Sequence, residues 1–151
     1  MTYSPTLSEA TAEFDSHDAF SLVETISMVI NSMDAEQSAT VNQTRDTWKF
    51  RYGTVDVVVN ITGASPTDTF TVISTVAEGP FKEEPALMKK LLEKNMAETF
   101  EARFAMQDSK VFLVSSRSVE DLSPAEISRI IAIVAAIADD NDEALRAEFC
   151  A

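Results

Sequence analysis

The sequence predicts an α+β fold, an antiparallel sheet with helices packed on it in the order α-β-β-β-α-β-β-α. Three observations predict it. Apolar residues recur at three- and four-residue steps in three separate segments, which is the helical period. Between those segments lie two blocks in which apolar and polar residues alternate, the strand period. Short polar turns break the alternating blocks where hairpins would close.

Residues 1–15 are polar, with Pro5 and many Ser and Thr, and read as a flexible tail; residues 16–151 read as a single domain. The first helix runs from Asp18 to Met33. Phe20, Val23, Ile26, Ile30 and Met33 share one of its faces, and Ser16 is its expected N-cap. The polar segment 34–44 ends it. Trp48, Phe50 and Tyr52 form the buried side of a first strand, and Gly53-Thr54 reads as a tight turn because glycine takes positive φ at little steric cost. Val55 to Thr62 is the second strand, and Thr69 to Ala77, rich in β-branched residues, the third.

Pro85 suits the first turn of a second helix, where its missing N–H costs little; Leu87, Met88, Leu91, Leu92 and Met96 build the expected apolar face. Near Phe100 the period changes to two, with Phe100, Ala102, Phe104 and Met106 on one side. A turn at Asp108-Ser109 leads into a strand from Val111 to Val119. Ser123-Pro124-Ala125-Glu126 is a capping box, and it opens a helix with an apolar stripe of Ile127, Ile130, Ile131, Val134, Ile137 and Ala138. Leu145 and Phe149 are four apart, so the helix is expected to continue through the acidic run. Ile133 lies off the stripe and is a candidate for a contact with a neighbouring helix or subunit.

The second half of the chain resembles the YbjN-like family, whose members share the fold of the type III secretion chaperones; a cyanobacterial branch is similar. The resemblance rests on Leu91-Leu92-Glu93-Lys94-Asn95, then Phe104-Ala105-Met106-Gln107-Asp108, Val111-Phe112-Leu113-Val114, and Leu122-Ser123 through Ala138-Asp139. It covers about Phe20 to Asp140. It implies a secretion-chaperone-like fold, a homodimer of small acidic subunits, and no catalytic residue. In the secretion chaperones a partner's extended segment lies in apolar grooves and along a sheet edge.

Composition removes several function classes. The chain has 151 residues, 45% of them hydrophobic, and a net charge of −13 from 25 acidic and 12 basic residues. Nucleic-acid and anionic-membrane binding both rest on neutralising phosphates, so the charge has the wrong sign for either. No apolar run approaches the ~20 residues that span a bilayer, and the first residues lack a signal-peptide pattern, so a cytoplasmic location is expected. The single cysteine, Cys150, cannot form an internal disulfide; it reads as an incidental residue on a fraying end, or as a reactive or dimer-linking thiol.

No catalytic, cofactor or metal site is expected. His17 is the only histidine and has no nucleophile elbow beside it. Asp139-Asp140-Asn141-Asp142-Glu143 fails the calcium-loop pattern, since Ala144 and Cys150 stand where Gly and Glu are needed, and it reads as a solvated helix face. Gly53, Gly63 and Gly79 are isolated and make no phosphate cradle. Phe81, in a connector, is a candidate for a partner groove, and Asn95, on the apolar side of the second helix, reads as an amide satisfying a nearby turn or strand. Met28, Met33, Met88, Met96 and Met106 fit an adaptable binding surface, though their spacing assigns most of them to the core. The expected function is a non-enzymatic protein-binding module, chaperone-like or adaptor-like, acting as a homodimer with an unidentified protein partner. A small-ligand sensor on the same fold is the alternative, and an enzyme using paired carboxylates finds no support in the residues.

Overall fold

The computed structural model describes residues 22–33 and 42–151. In chain order these form helix α1 (residues 22–33), strands β1 (Asn42–Thr44), β2 (Thr47–Tyr52), β3 (Val55–Ile61) and β4 (Thr69–Glu78), helix α2 (Glu84–Ala97), strands β5 (Arg103–Gln107) and β6 (Lys110–Ser118), and helix α3 (Pro124–Phe149). The expected tail, Ser16, His17 and Phe20 lie outside the described residues. The strands form one six-stranded antiparallel sheet in the order β1-β2-β3-β4-β6-β5. The chain leaves the sheet after β4, forms α2, and returns at the outer edge as β5 before β6 fills the place beside β4.

β1 was not expected. Its three residues carry no apolar alternation, and a two-residue turn at Arg45-Asp46 folds them onto β2 at the sheet edge. A strand there needs only backbone pairing, so hydrophobic patterning gives no sign of it.

One face of the sheet holds the core. Trp48, Phe50, Val57, Val59, Phe70, Val72 and Leu113 are all at most 3% exposed, and they meet Ile127, Ile131, Val134 and Leu145 of α3 and Ile26 and Ile30 of α1. Alternation dictates this: every second residue of β2, β3, β4 and β6 points to the same side. Trp48 ties α1 to that face by donating its indole N–H to Ser27 Oγ at 3.0 Å. The buried hydroxyls are satisfied by backbone: Ser74 donates to the Asp56 carbonyl at 2.8 Å and Ser115 to that of Glu101 at 3.2 Å.

The turns follow their chemistry. Gly53 has φ 56 while Thr54 is not left-handed, the pattern of a type II′ turn. Asp108 and Ser109 are both left-handed, with φ 51 and 59, as a type I′ turn requires even without glycine. The β-alternation expected from Phe100 begins three residues later: Phe100 is left-handed at φ 53 and 78% exposed, outside β5.

α3 opens as a partial capping box. Ser123 Oγ accepts from the Glu126 N–H at 3.1 Å, but the Glu126 carboxylate turns away to Arg117 on β6 and to the Ser123 hydroxyl. The acidic run is not the solvated face expected of it. Asp139 accepts from the Thr54 N–H at 2.9 Å, and the one Thr54 hydroxyl proton lies between Asp139 at 3.0 Å and Asp142, 1% exposed, at 2.7 Å. The α3 carboxylates therefore cap the β2–β3 turn, something only the tertiary approach of helix to hairpin can bring about.

Candidate partner-binding face

α2 presents two different sides. Leu87 and Leu91, four apart, are buried. Lys90 reaches Glu148 at 2.6 Å and lies 5.8 Å from the Phe149 ring, which fastens this side to the end of α3. The other side carries Met88, Leu92 and Met96, exposed by 45, 69 and 91%, and the row runs on toward Phe100. These positions were expected in the core of α2; the structure leaves them uncovered, because α2 lies along the sheet edge and packs among the strands mainly on β5.

β5 is that edge strand, and Asn95 joins it to α2. The Asn95 side-chain oxygen accepts from the Phe104 N–H at 2.6 Å, and its amide donates to the Phe104 carbonyl at 3.2 Å. In the β5–β6 ladder a two-residue turn makes Gln107 and Lys110 the first hydrogen-bonded pair, so Phe104 and Met106 direct their backbone groups away from β6. Asn95 thus takes the place of a neighbouring strand at Phe104, which blunts part of the open edge. Thr99 closes the helix end by donating to the Asn95 carbonyl at 3.3 Å. Met88, Leu91, Leu92, Asn95, Phe104, Ala105 and Met106 line a shallow groove of about 260 Å³ between helix and edge.

The candidate residues from the sequence do not converge. Asn95 alone lines this groove. Ile133 is half-buried against the core on α3. Phe81 is not an exposed apolar residue: it is half-buried and forms an isolated antiparallel bridge with Cys150. The Lys82 N–H donates to the Phe149 carbonyl at 2.7 Å and the Ala151 N–H to that of Pro80 at 3.1 Å. Cys150 is accordingly pinned rather than frayed, with its thiol donating to the Glu78 carbonyl at 3.3 Å. The exposed ridge of Met88, Leu92 and Met96 was misread because an apolar row at helical spacing looks the same whether a helix buries it or leaves it for a partner.

A second, polar cleft of about 550 Å³ lies between the β2–β3 hairpin, β4 and the end of α3, where Asp142 and Arg146 meet Arg51 and Glu78. Asp142 Oδ2 accepts from Arg146 at 2.5 Å; its buried Oδ1 has no hydrogen-bond partner among the described residues. No group of three or more His, Cys, Asp or Glu among the described residues is arranged to hold a metal ion, and no described helix is long and apolar enough to cross a membrane. Elsewhere, Asp68 accepts from the Ser65 hydroxyl and N–H and from Thr62, which holds its carboxyl below the usual aspartate range.

No curated protein matches the chain. Among solved structures it is similar to a chain of the crystal structure of the ExsC–ExsE complex, with 16% identity and a TM-score of 0.48 over 61% of this chain and 69% of that one. The model of one protein family, YbjN, described as "Putative bacterial sensory transduction regulator", matches residues 23–147. That match takes in all six strands, α2, and all but the outermost residues of α1 and α3, and the chain belongs to the YbjN family.

Proposed function

We propose that this protein is a non-enzymatic, regulatory or chaperone-like protein-binding module that acts as a homodimer, with its two copies meeting through α2 and the β5 edge. The observation that carries the reading is the uncovered row Met88–Leu92–Met96 beside an edge strand. Large apolar side chains in one contiguous row are a partner surface more often than a solvent surface. A second copy fits it for two reasons. Residues four apart form the ridge that packs most commonly into its own kind, so a two-fold axis can interleave two such helices. The adjacent row carries exposed Lys89 and Glu93, and a two-fold axis brings opposite charges together reciprocally.

Sedimentation equilibrium tests it. The native chain is expected to be a dimer and the double variant Leu92→Asp, Met96→Asp a monomer with unchanged circular dichroism. Because each copy carries −13, added salt should tighten the native dimer by screening the repulsion between copies. A monomeric native chain, or a variant that stays dimeric, overturns the reading.

A small-ligand sensor has one observation in its favour, the polar cleft at Asp142 with its unpartnered Oδ1. The cleft is open rather than enclosed, which suits a ligand poorly. The sensor reading expects a metabolite to raise the melting temperature of the native chain and not of Asp142→Asn; a screen without such a metabolite removes it.

A further inference from the structure

One face of the sheet is turned away from α1 and α3. Its residues follow from register. Lys49 pairs with Val58, Val58 with Ile73, Ile73 with Val114, and Val114 with Arg103, so these five form one row straight across β2, β3, β4, β6 and β5. Val58, Ile73 and Val114 are only half-buried and do not belong to the core, which lies on the other face. Phe112 and Ala105, paired with each other, extend the apolar centre by one row. α3 packs on the opposite face, and α2 lies along the β5 edge, so no described element covers this row.

The charge of this face is opposite to that of the chain. Lys49, Arg51, Arg103 and Lys110 occupy its outward positions against the carboxylates Asp56 and Glu78. Asp56 is engaged by Arg51 at 3.1 Å and Glu78 by Lys110 at 4.0 Å. Lys49 and Arg103, the cations that flank the apolar part of the row, have no ion-pair partner among the described residues. A cationic face on a chain of net charge −13 is a local feature, and at physiological ionic strength a Debye length of about 8 Å lets the local charges govern what approaches.

We infer that this open sheet face docks an acidic peptide segment of a partner protein, with apolar side chains on Val58, Ile73 and Val114 and carboxylates at Lys49 and Arg103. Four strand spacings separate the two cations by about 19 Å, which an extended segment of about six residues spans. An apolar centre supplies burial, and the flanking charges fix orientation and reject basic sequences. The inference deepens the protein-binding reading by naming the partner's chemistry, and it uses a different face from the one assigned to dimerisation.

The test uses the full chain and a fluorescein-labelled peptide with a central Val-Ile-Val flanked on each side by Glu-Glu, alongside the same peptide with Lys for Glu. The acidic peptide should bind, shift the methyl resonances of Val58, Ile73 and Val114, and lose affinity as salt is added. The pair Lys49→Glu, Arg103→Glu should weaken binding about tenfold or more, and Ile73→Thr should weaken it with the melting temperature checked alongside. The monomeric Leu92→Asp, Met96→Asp variant should bind as well as the native chain, so that a failed dimer and a failed docking face give different results. Equal or better binding of the Lys peptide, no binding of either peptide, or shifts confined to α2 overturns the inference. So does binding of phosphatidylserine vesicles in place of the peptide, which would assign the face to lipid. Loss of the dimer in Lys49→Glu, Arg103→Glu would assign it to a second copy and overturn the inference as well.

Discussion

α2 and α3 both pack at the sheet, and both are amphipathic, yet they do different work. α3 buries nine residues, from Ile127 to Phe149, including the carboxylate of Asp142; α2 buries two, Leu87 and Leu91, and leaves a larger apolar row outside. α3 crosses the middle of the sheet and its side chains are surrounded. α2 lies at the edge, where one side meets β5 and the other meets solvent or a partner. Amphipathicity therefore says that a helix has an apolar side, and position in the fold says what that side is for. The same holds between the two faces of the sheet, one closed by α1 and α3, the other left open by the described elements with its apolar row held between two cations.

This difference can be broken most severely at the centre of α3. Ile131→Ala should destabilise the fold by about 2–5 kcal/mol in urea unfolding, because a fully buried side chain leaves a cavity. At chain concentrations low enough to dissociate the dimer, Leu92→Ala on α2 should leave stability nearly unchanged; equal losses at the two positions would erase the distinction. Next in size is Asn95→Ala, which strips the Phe104 N–H and carbonyl of their partners and should cost about 1–3 kcal/mol. It should also open the β5 edge, with faster amide exchange at Phe104 as the readout.

Gly53→Ala should cost about 1 kcal/mol or more in thermal unfolding, since its φ of 56 disfavours a side chain and a Cβ there would collide with the Asp139 carboxylate. The smallest effect belongs to Asp68. Its carboxyl pKa is lowered by the Ser65 hydroxyl, the Thr62 hydroxyl and the Ser65 N–H. A lowered carboxyl stabilises the folded loop above the ordinary value of 3.8, and that contribution fades as pH falls through the lower, folded value. Asp68→Asn should therefore narrow the gap from the native chain as a melting series is carried from neutral pH into that acid range, and a gap independent of pH would show that charge plays no part.

Much of this architecture is legible in the sequence. The period change after α2, the Ser123-Pro124 start of α3 and the alternation in β2, β3 and β4 each follow from local preferences, because side-chain direction is set by backbone geometry within a few residues. β1 was not legible, since an edge strand of polar residues carries no burial signal. Phe100 was misplaced because one more alternating residue does not reveal a left-handed backbone. Of the candidate residues, Asn95 was singled out for the apolar side of its helix, whereas the role of Asp139 and Asp142 on Thr54 depends on residues more than eighty positions away.

The sequence by itself determined which residues are helical, which are extended and which side of each element is apolar, since these depend on neighbours along the chain. Tertiary structure alone decided which apolar sides are closed and which stay open. It placed α2 at the edge of β5 and lined up Lys49, Val58, Ile73, Val114 and Arg103 across five strands, because strand order and register bring together residues that no local periodicity relates.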